Sequence, residues 1–267
     1  MQGPVCLFDS GIGGLTVLKK LTNDFPLENY IYLADLARVP FGDRTKEDIN
    51  KIVNEIFTWL MKFNPKMVIM ACNTSSAVFD FKSLEFKSKI NIPVYGMIES
   101  CAKEIAKSKY KKVSAWATKL ATESNIYKKT IQNINPQIKV EEISCPKLVP
   151  MIEDLGFNPA DKEEIVKEYL KMTSPESEAL ILGCTHYPHI ANILLKQTKM
   201  DIIDPADCLI KELESSLTKV SNPELKRNVS LYTTAQSEKI EKFSRLYLCE
   251  NYKTSLININ KIYVQTS

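Results

Sequence analysis

Short apolar runs alternate with helical patterns along nearly the whole of this chain, and that alternation limits the folds open to it. The run at residues 5–8 is followed by a glycine-rich loop and then by a helical pattern. Further on, apolar residues recur at intervals of three and four from Ile49 to Met61, which predicts one helix face over residues 48–63. Continuous apolar strands that alternate with helices are typical of a parallel sheet covered on both faces.

The strand candidates are too numerous for one small sheet. Nine runs qualify, and we expect an α/β fold of two similar lobes whose mostly parallel sheets are covered by helices. The runs are residues 5–8, 30–34, 67–71, 94–98, 113–117, 140–143, 179–182, 202–203 and 229–232. No linker rich in Gly, Pro or Ser marks a boundary. We place the first lobe at residues 1–94 plus 207–267 and the second at residues 95–206, with the active site at the lobe interface.

Composition excludes some function classes. The 35 basic and 32 acidic residues leave a net charge of +3, which argues against a dedicated nucleic-acid or membrane surface. Residues 1–14 carry no basic region and read as strand and loop, and no apolar run approaches the roughly 18 residues of a membrane span. We expect a cytoplasmic protein, in which the seven cysteines are free thiols.

Polar groups follow three of the predicted strands directly. Asp9 ends the first strand, Cys72 ends a central one, and Cys184 ends a later one. In open α/β sheets ligands bind at the carboxyl ends of strands, where helix N-termini attract anions and lower thiol pKa values. Two matching thiols facing one pocket suit a racemase, which needs an acid and a base on opposite sides of one carbon.

Each of these features also has a purely structural interpretation. A single cysteine at a strand end is usually a buried small apolar residue. The loop at residues 11–14 matches neither the dinucleotide nor the Walker pattern and could be a tight turn or a phosphate cradle. Asp9 and Thr74 could cap helices.

A zinc site is a further alternative, because the chain's two histidines lie close to Cys184. His186 and His189 follow that thiol by two and five residues, yet no CxxC or HxxxH spacing accompanies them. His189 follows Pro188, a residue favoured at the first position of a helix, and we interpret it as structural.

Four segments together resemble one family. DSGIGGLTVLKKL, ADLARVPFG, ACNTSSA and GCTHYP occur in the order found in glutamate racemases, the cofactor-independent amino-acid racemases of bacterial cell-wall synthesis. The similarity runs from Cys6 to about Asp204 and is weaker beyond.

The resemblance implies two α/β lobes, with the chain leaving the first and returning to it at its end. It implies Cys72 and Cys184 as the acid–base pair, assisted by Asp9 and His186. It implies a homodimer, glutamate as substrate, and no pyridoxal phosphate, metal or other cofactor. The residues expected around the substrate are Ser10, Asp35, Pro40, Phe41, Gly42, Asn73, Thr74, Thr118, Glu153 and Thr185. The hydroxyl and amide groups among them are donors of the kind that stabilise a carbanion-like state.

The chain departs from the family pattern at a few positions. Phe41 stands where the family has tyrosine, and Ala121 stands where a threonine is usual. Thr122 is displaced by one residue, about 100° around a helix, so we do not expect it to substitute. Trp116 is bulkier than the family's usual residue. Losing one charge-assisted hydrogen bond costs about 1.5–3 kcal/mol. These substitutions therefore bear on the affinity for the substrate and on which substrate is bound.

Three alternatives to a glutamate racemase therefore stay open. The first is a racemase for aspartate or another small acidic amino acid. The second, motivated by Phe41 and Ala121, is a catalytically weak regulatory protein on the same fold. The third is a thiol–disulfide or metal protein, which predicts bound zinc or a bridge between Cys72 and Cys184.

Overall fold

The computed structural model describes residues 3–220, 228–249 and 252–259. Within them the strands form two parallel sheets, one of six strands in the order β10-β9-β2-β1-β3-β4 and one of four in the order β6-β5-β7-β8. The strands are β1 (Val5–Asp9), β2 (Asn29–Ala34), β3 (Met67–Met70), β4 (Val94–Gly96), β5 (Lys112–Ala117), β6 (Lys139–Ser144), β7 (Ala179–Gly183), β8 (Asp201–Ile203), β9 (Asn228–Thr233) and β10 (Thr254–Leu256). The predicted α/β class with two sheets is confirmed.

Helices join successive strands in both sheets. They are α1 (Gly14–Asp24), α2 (Lys46–Leu60), α3 (Asn73–Val78), α4 (Leu84–Lys89), α5 (Met97–Lys107), α6 (Lys119–Ser124), α7 (Ile126–Ile134), α8 (Leu148–Glu153), α9 (Pro159–Met172), α10 (Ala191–Gln197), α11 (Pro205–Leu213) and α12 (Ser237–Leu248). Short 3-10 turns at Leu36–Arg38, Phe41–Asp43, Met61–Phe63 and Tyr187–Ile190 complete the connections. None of the helices in the described ranges is long and apolar enough to cross a membrane.

The central strands are apolar because they are covered on both faces. Every residue of β1 and of β7 is buried, and β1 pairs in parallel with β2 on one side and β3 on the other. Among the described strands, the edge strand β10 pairs with β9 alone, and it is mostly exposed. An exposed three-residue edge strand lacks a continuous apolar run, which is why the sequence pattern did not predict it.

Helix α2 follows from its sequence pattern. Its predicted apolar positions from Ile49 to Leu60 are buried, and each such side chain contributes about 1.5–3 kcal/mol to folding. Thr45 starts the helix by accepting a hydrogen bond from the Asp48 amide at 3.1 Å. The predicted end at residue 63 is reached through the 3-10 turn Met61–Phe63.

The predicted end of the strand at residues 94–98 is wrong. β4 stops at Gly96, and Met97 begins α5 because the apolar side chains from there recur at helical spacing. β4 also pairs with β3, so the first sheet extends past position 94. The second sheet begins with β5 and ends with β8. The division into lobes at residues 94 and 207 stays a prediction.

Candidate active site

A cavity of about 380 Å³ lies where the carboxyl ends of strands from both sheets meet. Residues directly after β1, β3, β5, β6 and β7 all contribute to its wall. The lining residues are Ser10, Gly11, Val39, Pro40, Phe41, Gly42, Asp43, Cys72, Asn73, Thr74, Thr118, Lys119, Cys145, Pro146, Val149, Pro150, Glu153, Cys184, Thr185, His186 and Tyr187. Since parallel strands present their carboxyl ends at one edge, this is the expected position for a ligand.

The two thiols singled out in the sequence both line this cavity. Cys72 lies between β3 and α3, and Cys184 lies between β7 and the turn Tyr187–Ile190. Their exposed fractions are 4% and 7%. Each thiol belongs to a different sheet, and neither takes part in a disulfide. The bridge between Cys72 and Cys184 expected of a thiol–disulfide protein is therefore not formed.

Cys184 lies beside a chain of charged side chains. Its Sγ is 3.7 Å from His186 Nδ1, and His186 Nε2 is 2.9 Å from Glu153 Oε1. Burial lowers the pKa of His186, but hydrogen bonds to Cys184 and Glu153 outweigh it and raise that pKa to about 10. The imidazole is therefore cationic at neutral pH, where its charge stabilises negative charge that forms on the sulfur.

Glu153 completes this chain of charges. Burial raises the pKa of Glu153, but its bonds to His186 and to Lys239 outweigh burial and lower the pKa to about 2. The Lys239 Nζ atom lies 2.6 Å from Glu153 Oε2. The carboxylate is thus ionised and held between two cationic side chains.

Cys72 has a different electrostatic environment. Burial and the neighbouring Asp9 charge raise the pKa of the Cys72 thiol to about 11. Its Sγ lies 3.8 Å from Ser10 Oγ. At neutral pH Cys72 is therefore a protonated thiol, whereas Cys184 has a cation beside it.

Asp9 connects the two halves of the site. It is fully buried and accepts hydrogen bonds from the Gly11 amide at 2.8 Å and from Thr185 Oγ1 at 3.1 Å. Burial raises the pKa of this carboxyl, although His186 and the hydrogen bonds act against that. Asp9 thus accepts its hydrogen bonds from the loop after β1 and from the Thr185 hydroxyl. Its effect on the pKa of Cys72 is electrostatic.

The loop after β1 packs directly against the loop after β7. A Cβ atom at Gly13 would lie 2.3 Å from Thr185 Oγ1 and 2.6 Å from His186 Nδ1. Thr16 Oγ1 donates to the Thr185 carbonyl at 3.1 Å across the same boundary. Only glycine allows this close approach, which brings the two sheets' catalytic candidates together.

Hydroxyl and amide groups line the cavity between the thiols. Thr74 Oγ1 and Thr118 Oγ1 lie 2.9 Å apart, joining the two sheets' loops. Tyr127 donates its hydroxyl to Asn73 Oδ1 at 2.7 Å, which fixes the orientation of that amide. These groups offer donors for a carboxylate, together with Ser10.

The departures from the family pattern have distinct positions. Phe41 is buried in the cavity wall and supplies no hydroxyl. Ala121 is fully buried outside the lining, and Thr122 donates its hydroxyl to the Thr118 carbonyl at 2.9 Å, so it does not replace the missing threonine. Trp116 is fully buried too, with its Nε1 donating to Thr173 Oγ1 at 2.9 Å, away from the cavity.

Two expected site residues, Asp9 and Asp35, do not line the cavity, but Asp9 bonds to the lining residues Gly11 and Thr185 whereas Asp35 lies apart. Asp35 bonds instead to Arg38 Nε at 2.7 Å and Thr234 Oγ1 at 2.8 Å. Residues 39–43, farther along the same connection after β2, do line the cavity. The bonds to Arg38 and Thr234 therefore hold the Asp35 carboxylate outside the wall.

Sequence reasoning missed several lining residues and one partner. Cys145, Pro146, Val149 and Pro150 line the cavity because they follow β6, and their position after a predicted strand was an available signal. Nothing in the sequence identified Lys239 as a partner of Glu153, because the two residues lie 86 positions apart in the chain.

His189 is exposed and does not line the cavity. It lies in the turn Tyr187–Ile190 and stacks on Tyr247 with ring centroids 4.1 Å apart. In the part of the chain that the structure describes, no three His, Cys, Asp or Glu side chains converge as a metal site.

Comparison with known proteins points to one family. The sequence model of the Asp/Glu/hydantoin racemase family matches residues 16–213. The chain is 35% identical to glutamate racemase 3 of Caldanaerobacter subterraneus subsp. tengcongensis, covering 97% of this chain and 96% of that protein.

Solved structures show the same similarity. A glutamate racemase of Francisella tularensis in complex with D-glutamate superposes with a TM-score of 0.86 at 31% identity, covering 97% of this chain and 98% of that one. For a glutamate racemase isoform of Bacillus anthracis the TM-score is 0.87 at 28% identity, with coverage of 96% and 98%.

Proposed function

This chain belongs to the Asp/Glu/hydantoin racemase family, and from that premise we propose that it is a glutamate racemase that interconverts L- and D-glutamate by proton transfer between two cysteines. One observation carries the mechanism. Cys72 and Cys184 come from different sheets and line the same cavity, each with its own polar partner. Curated relatives and solved structures of glutamate racemases support the substrate.

The reaction needs one thiolate and one thiol at the same time. The thiolate takes the α-proton, forming an S–H bond while the electron pair of the broken C–H bond stays on the α-carbon. The thiol on the opposite face then gives its proton to that carbon and becomes a thiolate. Charge and protons balance, and the configuration inverts without a cofactor.

Cys184 and Cys72 suit these two states. The His186 imidazolium stabilises a thiolate at Cys184, and the raised pKa of Cys72 keeps that residue as a thiol. For the enantiomer whose α-proton faces Cys184, that residue removes the proton and Cys72 delivers one to the opposite face. Catalysis of the reverse direction requires the two protonation states to be exchanged.

Preorganised donors stabilise the negative charge that develops on the substrate. The α-proton of an amino acid is weakly acidic, so the site must supply hydrogen bonds to the carboxylate as the C–H bond breaks. Asn73, Thr74 and Thr118 line the cavity with such groups, whereas the Thr185 hydroxyl donates to Asp9. The three lining groups bind the substrate between the two thiols.

We extend the proposal to the cellular role. D-glutamate made by this enzyme would enter peptidoglycan synthesis in the cytoplasm, and the enzyme would act as a homodimer. All three points are what the resemblance of the sequence to glutamate racemases implies. Analytical ultracentrifugation measures the oligomeric state.

A panel of single-enantiomer amino acids followed by circular dichroism tests the activity. We expect L- and D-glutamate to lose their signal to the racemic endpoint, with the Cys72→Ser/Cys184→Ser double variant inactive. Turnover of aspartate in preference to glutamate would make the chain an aspartate racemase. Glutamate binding by calorimetry without turnover would support a regulatory protein, and racemisation by the double variant would refute the two-cysteine mechanism.

A further inference from the structure

Helix α12 contacts the Cys184 side of the site through a lysine. Lys239 Nζ lies 2.6 Å from Glu153 Oε2, while Glu153 Oε1 lies 2.9 Å from His186 Nε2. The side chains of Lys239 and Glu153 are only 29% and 23% exposed. Each oxygen of the carboxylate therefore has its own partner, and Lys239 restricts the direction in which Glu153 points.

The same helix also contacts the segment that carries Cys184 and His186. Near its other end, Tyr247 stacks on His189 at 4.1 Å with an interplanar angle of 24°. His189 follows His186 by three residues, and its amide donates to the His186 carbonyl at 3.1 Å. One end of α12 thus reaches His186 through Glu153, and the other end contacts the segment that carries His186 directly.

Helix α12 is anchored on the other half of the protein. It follows β9 of the six-stranded sheet, and its apolar residues Ile240, Phe243, Tyr247 and Leu248 belong to the core packed against that sheet. Glu153 ends α8 beside the four-stranded sheet. The ion pair therefore crosses from one half of the protein to the other, at the edge of the cavity.

We propose that Lys239 is a positioning residue for the Cys184 half of the proton-transfer site, acting through Glu153 and His186. The inference rests on the function proposed above. Lys239 touches neither the cavity nor Cys72, so its effect is confined to one of the two thiols. By fixing the Glu153 carboxylate it fixes the imidazole, whose Nδ1 faces Cys184 Sγ at 3.7 Å.

Lys239→Met tests the proposal, because methionine keeps most of the side-chain length and loses the charge. We expect kcat for glutamate to fall about 10-fold with KM changed by less than about 2-fold, as for a group that matters only in the transition state. Lys239→Arg keeps the positive charge and should retain most of the wild-type kcat. Lys242→Met is the matched control, since Lys242 is an exposed lysine on the same helix, and should behave as the wild type.

Isotope effects separate positioning from a general structural role. With α-deuterated D- and L-glutamate, a higher barrier at Cys184 should raise the isotope effect on kcat/KM for the enantiomer that Cys184 deprotonates. It should lower the isotope effect for the enantiomer that Cys72 deprotonates, because the later step then limits the rate. Equal changes for both enantiomers, or rates equal to those of Lys242→Met, would overturn the proposal.

Two controls keep the outcome clear. Thermal unfolding identifies a folding defect. If Lys239→Met does not fold, the isotope effects are measured on Lys239→Gln instead. Opposite changes for the two enantiomers then support the proposal, and equal changes overturn it. Absence of glutamate racemisation by the wild-type chain would count against the proposed function. An active wild type with a symmetric Lys239 effect would count against this inference alone.

Discussion

Replacing Glu153 by glutamine tests how the site keeps His186 charged. The substitution retains the shape of the side chain and a hydrogen-bonding group but removes the negative charge. In the structure Glu153 Oε1 lies 2.9 Å from His186 Nε2, and the imidazole is 5% exposed with a pKa of about 10. The Cys184 sulfur on the other ring nitrogen stays in place in this variant.

The expected change follows from the strength of the lost interaction. A hydrogen bond to a charged group contributes about 1.5–3 kcal/mol, and about 1.4 kcal/mol corresponds to one pKa unit. Glu153→Gln should therefore lower the pKa of His186 by about 1–2 units. His186 stays protonated at pH 7, so the alkaline limb of the kcat profile should shift to lower pH by the same amount, in addition to the loss of rate expected when Glu153 no longer holds the imidazole.

Nitrogen-15 NMR of labelled histidine measures this pKa directly. The chain has two histidines, so a His189→Gln variant leaves a single imidazole to observe. The wild type should titrate near pH 10 and Glu153→Gln one to two units lower. A wild-type His186 that titrates near 6.5, or a pKa that Glu153→Gln leaves unchanged, would refute this account of the charge.

Two other predictions concern packing and stability. Gly13→Ala places a methyl group 2.3 Å from Thr185 Oγ1, so the loops must separate and we expect a loss of kcat of about 100-fold, measured by turnover alongside thermal unfolding. Because the folded state raises the pKa of His186 from 6.5 to about 10, its contribution to stability is complete below pH 6.5 and is lost as pH rises through 10. Urea unfolding of the wild type and His186→Gln should therefore differ most at pH 6 and least above pH 10; a pH-independent difference would contradict this.

The sequence predicted the positions of the thiols because strand ends are a local feature. Apolar runs identify β3 and β7, and the residue after a parallel strand lies at the ligand-binding edge whatever the strand order. Cys72 and Cys184 could therefore be assigned to one pocket before the fold was known. Asn73 and Thr185 could be assigned to the same pocket because each directly follows one of these cysteines in the chain.

Contacts that depend on strand order or on distant segments were not available from the sequence. Asp35 follows a strand as clearly as Asp9 does, but it pairs with Arg38 and with Thr234, which follows β9, the neighbour of β2 in the sheet. The Thr74 and Thr118 pair and the ion pair between Glu153 and Lys239 join segments 44 and 86 residues apart. No periodicity encodes such pairs, because they arise from how the two sheets pack.

Racemisation of L-glutamate in deuterium oxide, followed by NMR at the α-carbon, tests the two-cysteine mechanism most directly. Two bases predict that the first D-glutamate formed is fully deuterated while the remaining L-glutamate is still protiated, because the proton delivered comes from a second thiol in exchange with solvent. Protium carried from L-glutamate into the D-glutamate product, or label entering both enantiomers equally from the first turnover, would indicate a single base and contradict the mechanism.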